Sequence, residues 1–494
     1  MNKKILSLFA FIGLLFFCGS FLNAESNITF IKSYSTEYKK TLPITEYNWQ
    51  NVNGTISYEE FIEELEEFKY LLTTSYIGYE KMLMQGFDIN VFENNVKAEF
   101  EKSVSVDSKK LQSSLYENIK KFVQDAHFFI NFFMTEKVAC NFENVYYSDL
   151  YVKKVGDKYF YIKDNKIKEE YKESEDNLFC YPSKGSDVYR IGIFSNEQPK
   201  FDGYKLDTAI APATSLRFNS KQTSKTVYYS LSSFMLPAEG DGKRKASEIM
   251  LERLKKSVQN NYDKENIIVD LRGNLGGIQG ISMDLVNLLL GIDYSNKENN
   301  VEKDIYYMNY LISPSIALAT YNWDKSLGNF SKKYVKGDKK NLDDFTKNPR
   351  CELYKNYFFS KNYNEGFPIK NKYQNKIYVI FDRNTSSAAE LFYGYLVSVI
   401  DEPSRVKLVG ENSAGRIENG SVWSYLLPYS HICVVLPSRS FSPTLDRISS
   451  WHGEGKGFFP DYWCTGEDLL ETLIAVTHDE ELRTVLSNIY YGLQ

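Results

Sequence analysis

Residues 267–277 read IIVDLRGNLGG. Ile267, Ile268, Val269 and Leu271 form a short apolar run of strand length, and Arg272 to Gly277 close it in a glycine-rich turn. A strand that is apolar on both faces suits a parallel sheet covered by helices on each side. The turn lets backbone N–H groups reach outward with no side chain in the way, so it can receive an oxyanion or a phosphate. The Lys-Ser/Thr ending of a phosphate loop is absent.

Outward from this stretch the pattern alternates. Thr226–Met235 reads as a strand, Lys245–Val258 as a helix, and a further helix follows Gly276-Gly277 through Leu290. Lys376–Phe381 is strand-like, Ser387–Ile400 helical and Val406–Val409 strand-like, with more strands up to Pro437. This succession predicts an α/β core over 226–480, interrupted at about 293–373 by a polar insertion to which no element is assigned. Upstream, Ser57 and Glu60 have capping-box spacing ahead of an apolar helical stripe from Phe61 to Leu72. A second amphipathic helix runs from about Asp107, and Phe128–Phe133 reads as a strand. The expected organisation is a helical domain over 25–140, a β-rich segment over 141–225, and then the core.

Two further stretches carry candidate chemistry. In NTSSAAELF (384–392) a strand, a short polar turn and a helix whose first turn holds Ser387 put a hydroxyl at a positive dipole end. An ordinary serine N-cap has the same sequence appearance. In GEGKGFFPDY (453–462) glycines separate Glu454, Lys456 and the Pro460-Asp461 step, which alone is a surface turn.

Taken in order, Asp270–Gly277, Ser387-Ala388-Ala389-Glu390 and Glu454–Asp461 resemble the motifs of the tail-specific, or C-terminal-processing, serine peptidases and their tricorn-core and interphotoreceptor retinoid-binding relatives. The resemblance covers about 226–465, with a looser likeness at Gln124–Ile130. It implies a crotonase/ClpP-like α/β core behind a helical N-terminal domain, Ser387 as nucleophile, and no metal or cofactor. Oxyanion donors would be the amides of Ala388 and Gly276, with Gly277 next after Gly276.

The processing branch uses a lysine after the nucleophile as base, but that position here holds Arg416, whose guanidinium keeps its proton at neutral pH. Lys407 lies inside a strand and off the motif. The tricorn-like branch uses a histidine and a downstream glutamate. Only four histidines are present, and His127, two residues after Asp125, stands where the resemblance expects the base. Glu454 is the matching glutamate, and His452 is a second choice of base outside any family position. Arg416 is left to position a substrate carboxylate or a local acid. No peptide-binding loop of the PDZ type is read between 140 and 225, so a preference for C-terminal tails is not implied. A non-catalytic ligand- or peptide-binding protein on the same fold is the alternative.

Composition narrows the partners. The chain has 494 residues, 59 Lys+Arg against 64 Asp+Glu, 43% hydrophobic and 25% charged residues, which exclude general disorder. No basic block is present, so nucleic acid is not expected, whereas a protein or peptide substrate is. Lys3 and Lys4, the apolar run Ile5–Leu22 and Ala24 read as a secretory signal peptide over 1–24, whose removal leaves a net charge of −7. The expected location is therefore periplasm, cell envelope or exterior, with contact to a membrane only through the signal or a lipid on Cys18. No CxxC pair occurs, so neither a metal site nor a dense disulfide framework is implied.

Overall fold

The computed structural model describes residues 54–130 and 143–489, apart from 293–306, 313–315, 317–350, 357–370, residue 465 and a few short breaks between 165 and 241. The signal-like segment, Cys18 and most of the 293–373 insertion lie outside the described residues. The fold is α/β with a helical N-terminal region. It divides into two compact units, the first made of Met1–Asn141, Tyr307–Tyr357 and Glu418–Pro443, the second of the remaining three stretches. The division thus runs across the 226–480 stretch rather than along its edge.

In the first unit three of the described helices start where a side chain satisfies their free amides. Helix α1 (Tyr58–Ser75) opens with a complete capping box: Glu60 N–H donates to Ser57 Oγ at 3.2 Å, and Ser57 N–H donates to Glu60 Oε2 at 2.7 Å. After a short α2 (Tyr79–Met84), α3 (Ile89–Phe100) is capped by Asp88, and α4 (Ser108–Ile119) by Asp107. Phe61, Leu65, Phe68 and Leu72 of α1 share one buried core with Leu111, Leu115 and Ile119 of α4. Tyr425, Val434 and Leu436, from the antiparallel hairpin of strands Asn419–Leu426 and Cys433–Ser440, complete that core. Truncating a fully buried member such as Phe61 to Ala costs about 3–5 kcal/mol.

The hairpin also recruits distant chain. Ile130 of the short strand Phe129–Ile130 pairs with Val434, and Tyr310 of strand Tyr307–Ile312 pairs with Arg439. Strand Cys351–Asn356 extends the same sheet. The buried Glu64 of α1 accepts the N–H groups of Tyr429 and Ser430, fastening the hairpin turn to the helix.

The second unit is built on a six-stranded sheet in sequential order: β1 (Phe218–Gln222), β2 (Thr226–Leu231), β3 (Asn266–Asp270), β4 (Lys376–Phe381), β5 (Val406–Gly410) and β6 (Tyr462–Trp463). Only the β1–β2 pair is antiparallel, and the others run parallel. Helix α5 (Gly242–Asn260) links β2 to β3, α6 (Gln279–Leu290) follows β3, and α7 (Ala388–Val399) links β4 to β5. These are crossover connections of the kind parallel pairing requires. Every residue of β3 is buried, and α7 buries ten of its twelve residues. A second, antiparallel sheet of five strands spans 144–195, where the sequence reads as β-rich.

Register decides what meets at the sheet's carboxyl edge. Asp270 lies opposite Ile380, and Phe381 lies opposite Gly410. The turns leaving β3, β4 and β5 therefore emerge side by side, at the end of a parallel sheet where ligand sites collect.

Candidate active site

The three turns are stitched together by backbone bonds. Leu271 N–H donates to Ile380 O at 2.9 Å, Ser386 N–H to Asn274 O at 3.0 Å, and Ala414 N–H to Thr385 O at 2.9 Å. Buried Asp382 gathers the amides of Gly273, Asn384 and Thr385 on its Oδ1, which fixes the start of the turn that carries Ser387. Burial pushes the Asp382 carboxyl up, while these donors and the nearby Arg272 pull it back.

Ser387 is the N-cap of α7, with φ 55° and ψ −122°. An N-cap serine ordinarily takes extended backbone, as Ser57 does with φ −68° and ψ 166°. Both serines have Glu three residues on, yet only Ser387 is in a left-handed conformation that a side chain with a Cβ occupies at a cost of about 1–3 kcal/mol. Its N–H donates to Glu390 Oε2 at 2.9 Å, and Ser387 itself is half-buried. Helix α7 begins at Ala388, one residue later than the sequence reading places it.

The glycine turn lies against this point. A Cβ on Gly276 would stand 2.6 Å from Ala388 N and 2.8 Å from Ser387 Cβ, so only glycine fits. Gly276 also has φ 92°, a conformation that itself favours glycine. Its N–H is taken by Asn274 Oδ1 at 2.9 Å. Gly276 O accepts from Phe234 N, and Ile278 N donates to Phe234 O, each at 2.9 Å. In that parallel bridge the N–H of Gly277 faces away from Phe234. The amides of Gly277 and Ala388 have no acceptor among the described residues. The structure thus brings Ser387, Ala388, Gly276 and Gly277 together.

Glu390, which the sequence reading quotes without giving it a role, is fully buried. Its Oε1 accepts from Ser413 Oγ at 2.5 Å and Gly415 N at 2.8 Å, and its Oε2 from Arg416 N and Ser387 N, both at 2.9 Å. Desolvation outweighs these four donors and pushes the carboxyl up to about 7. The only advance signal was the Ser-x-x-Glu spacing, which also describes an ordinary cap.

Glu454 is half-buried in the same unit, and its Oε2 accepts from Ile417 N at 3.2 Å. Gly455 N donates to Gly415 O at 2.8 Å, and Phe458 N to Ser413 Oγ at 2.8 Å, so the Glu454 loop packs on the segment 413–417. Arg416 contributes its amide to this arrangement. Lys407 is held by Asp461 at 3.2 Å, and the His452 ring stacks on Phe459 at 3.6 Å between centroids.

His127 lies in the first unit, half-buried, two residues before the strand Phe129–Ile130. Its N–H donates to Asp125 Oδ1 at 2.8 Å, while Asp125 Oδ2 accepts from Asn419 Nδ2 at 2.8 Å. Complete burial pushes the Asp125 carboxyl up to about 6.

Residues 225–443 match the model of peptidase family S41. The chain carries an S41 serine-type peptidase domain. The S41 match includes Gly276, Ser387 and Ala388, whereas His127 and Glu454 fall outside it. Among solved structures, the chain is similar to mature CPAF complexed with lactacystin, at 12% identity over 88% of this chain and 98% of that one, with a TM-score of 0.42. It is also similar to a putative peptidase from Parabacteroides merdae (15% identity, 86% and 98% covered, TM-score 0.36). The photosystem II D1 C-terminal processing protease is a third (10% identity, 83% and 93% covered, TM-score 0.33). No curated protein matches the chain. Among the described residues no helix is long and apolar enough to cross a membrane, and Cys180, Cys433 and Cys464 are free thiols.

Proposed function

We propose that the chain is an exported serine endopeptidase in which Ser387 is the nucleophile, His127 its general base and Glu454 the support of that histidine. The observation that carries the reading is the backbone of Ser387. A serine that merely capped a helix would relax to extended dihedrals, as Ser57 does, and strain of this kind collects where a side chain must be presented to a reactant.

The steps follow from the groups. Ser387 Oγ adds to the carbonyl carbon of a peptide bond as its proton passes to the His127 imidazole. The developing oxyanion is received by the amides of Ala388 and of the Gly276–Gly277 turn. With the Gly276 N–H given to Asn274, Gly276 supplies the space beside Ser387 and Gly277 the amide. The C–N bond then breaks, the leaving amine takes the proton from His127, and water repeats the sequence on the acyl-serine. Protein or peptide chains are the substrates, and residues 1–24 direct the chain out of the cytoplasm.

The test is labelling of the purified chain, lacking residues 1–24, by a fluorophosphonate probe, with wild type beside Ser387→Ala and His127→Ala. Labelling should be lost in both variants while each keeps the wild-type melting transition. Full labelling of Ser387→Ala would remove the nucleophile assignment, and full labelling of His127→Ala would remove the base. A folded wild type that neither labels nor cleaves an unstructured peptide would favour the binding-protein alternative.

A further inference from the structure

Glu390 is a carboxylate on the nucleophile's own helix, yet three of its four hydrogen bonds leave that helix. Ser413, Gly415 and Arg416 donate to it from the segment after β5, and Ser387 donates from the strained turn. All four partners are donors, and three of them are backbone amides that cannot be turned round to accept. A carboxyl group, with an accepting oxygen on each side, satisfies all of them together. The segment it grips is itself shared. Ile417 N, next to Arg416 N, donates to Glu454, and Gly415 O and Ser413 Oγ accept from Gly455 and Phe458. Close approach is built in: a Cβ on Gly415 would lie 2.5 Å from Gly457 N and 2.6 Å from Gly455 N. One short segment, 413–417, therefore touches the nucleophile's turn through Glu390 on one side and the Glu454 loop on the other.

We infer that Glu390 is a positioning residue that clamps the Ser387 turn to segment 413–417 and so fixes the nucleophile relative to the Glu454 loop. The inference rests on the peptidase reading for its kinetic consequence but not for the clamp itself. Glu390 reaches no substrate. It holds Ser387 in a conformation that an isolated turn would leave, and it makes the arrangement of Ser387 and Glu454 a property of one hydrogen-bonded unit. An amide at this position would turn one acceptor into a donor facing Gly415 N–H or the Ser387 and Arg416 N–H pair, and one side of the clamp would open.

The experiment compares wild type, Glu390→Gln and Ser413→Ala by hydrogen–deuterium exchange, probe-labelling rate and steady-state cleavage of an unstructured peptide. In Glu390→Gln, peptides covering 385–391 and 413–417 should exchange faster together, while strand 144–155 is unchanged. A displaced nucleophile should lower labelling rate and kcat by about 100-fold. KM should stay within about twofold, because substrate binding is not what is lost. Ser413→Ala, which removes one of the four donors to Glu390 and also the acceptor of Phe458 N–H, should move the same readouts in the same direction, and it decides the matter if Glu390→Gln does not fold. Unchanged exchange in both segments, or loss confined to KM, would overturn the clamp. If the wild type neither labels nor cleaves while Glu390→Gln still loosens both segments, the peptidase reading falls and the clamp stands.

Discussion

Asp125 Oδ1 accepts the backbone N–H of His127 at 2.8 Å, so the residue two positions before the histidine fixes the peptide from which its ring projects. The second carboxylate oxygen is spent on Asn419, from the hairpin strand that pairs near this turn. Asp125 is therefore a turn-former anchored to the sheet. Replacing it by Ala leaves buried donors unpaired and should cost about 1–3 kcal/mol. Asp125→Asn should cost less, because the Asn419 amide can turn to present its oxygen. Urea unfolding of the two variants checks the order, and labelling at Ser387 should fall with the stability loss in Asp125→Ala.

A pair of glycines gives opposite signs. Gly276→Ala would drive a methyl into Ala388 N, Ser386 O and Ser387 Cβ, at a φ of 92° that alanine resists. The variant should lose labelling and melt earlier. Gly280, in the first turn of α6, has nothing within 4 Å of a built Cβ. Gly280→Ala should instead raise stability by about 0.4–1 kcal/mol, read from the same unfolding curves.

The strain at Ser387 is open to direct measurement. Ser387→Ala keeps a Cβ at φ 55° and so keeps the strain, whereas Ser387→Gly removes it. Both should be inactive. Glycine should nevertheless be the more stable of the two by about 0.5–1 kcal/mol, strain relief exceeding the extra chain entropy. Equal midpoints in calorimetry would mean that the turn stores nothing.

Two buried acids set a pH dependence. Burial raises Glu390 from 4.5 to about 7 and Asp125 from 3.8 to about 6. A carboxyl whose pKa is higher folded than unfolded contributes stability that is complete below its unfolded pKa. That contribution drains away as pH rises through the folded pKa. From these two groups the fold should become less stable between about pH 4 and pH 7, with protons taken up on folding. Unfolding midpoints at pH 5, 6, 7 and 8 should show this fall, and Glu390→Gln should flatten its upper part.

Much of the second unit was written locally. The apolar runs at Ile267–Val269 and Lys376–Phe381 became adjacent parallel strands, and the helix Gln279–Leu290 between them lies where the sequence pattern put it. Ser57 and Asp107 marked two helix starts because capping is chemistry between near neighbours. The strands Tyr307–Ile312 and Cys351–Asn356 were not legible in their polar surroundings, since what makes them strands is a hairpin many residues away. The helix Ile89–Phe100, capped by Asp88, also went unread. At the candidate site the motif order located Ser387 and the glycine turn. It could not distinguish Ser387 from Ser57, because the difference is a backbone torsion held by Asp382 and Asn274 from outside the helix together with Glu390 in its first turn. For the same reason the four-donor setting of Glu390 could not be seen in its spacing.

The pairing of Ile130 with Val434 carries a consequence for biogenesis. The core that receives Phe61, Leu65 and Leu115 also needs Tyr425, Val434 and Leu436, which a ribosome makes some three hundred residues later. At about 5–20 residues per second, the nascent N-terminal helices wait on the order of half a minute with their apolar faces unclosed. A chain stopped before the hairpin would never close them. Such a polypeptide has reason to travel under chaperone escort, and its maturation is gated by the arrival of residues 419–440 rather than by the order in which its helices appear.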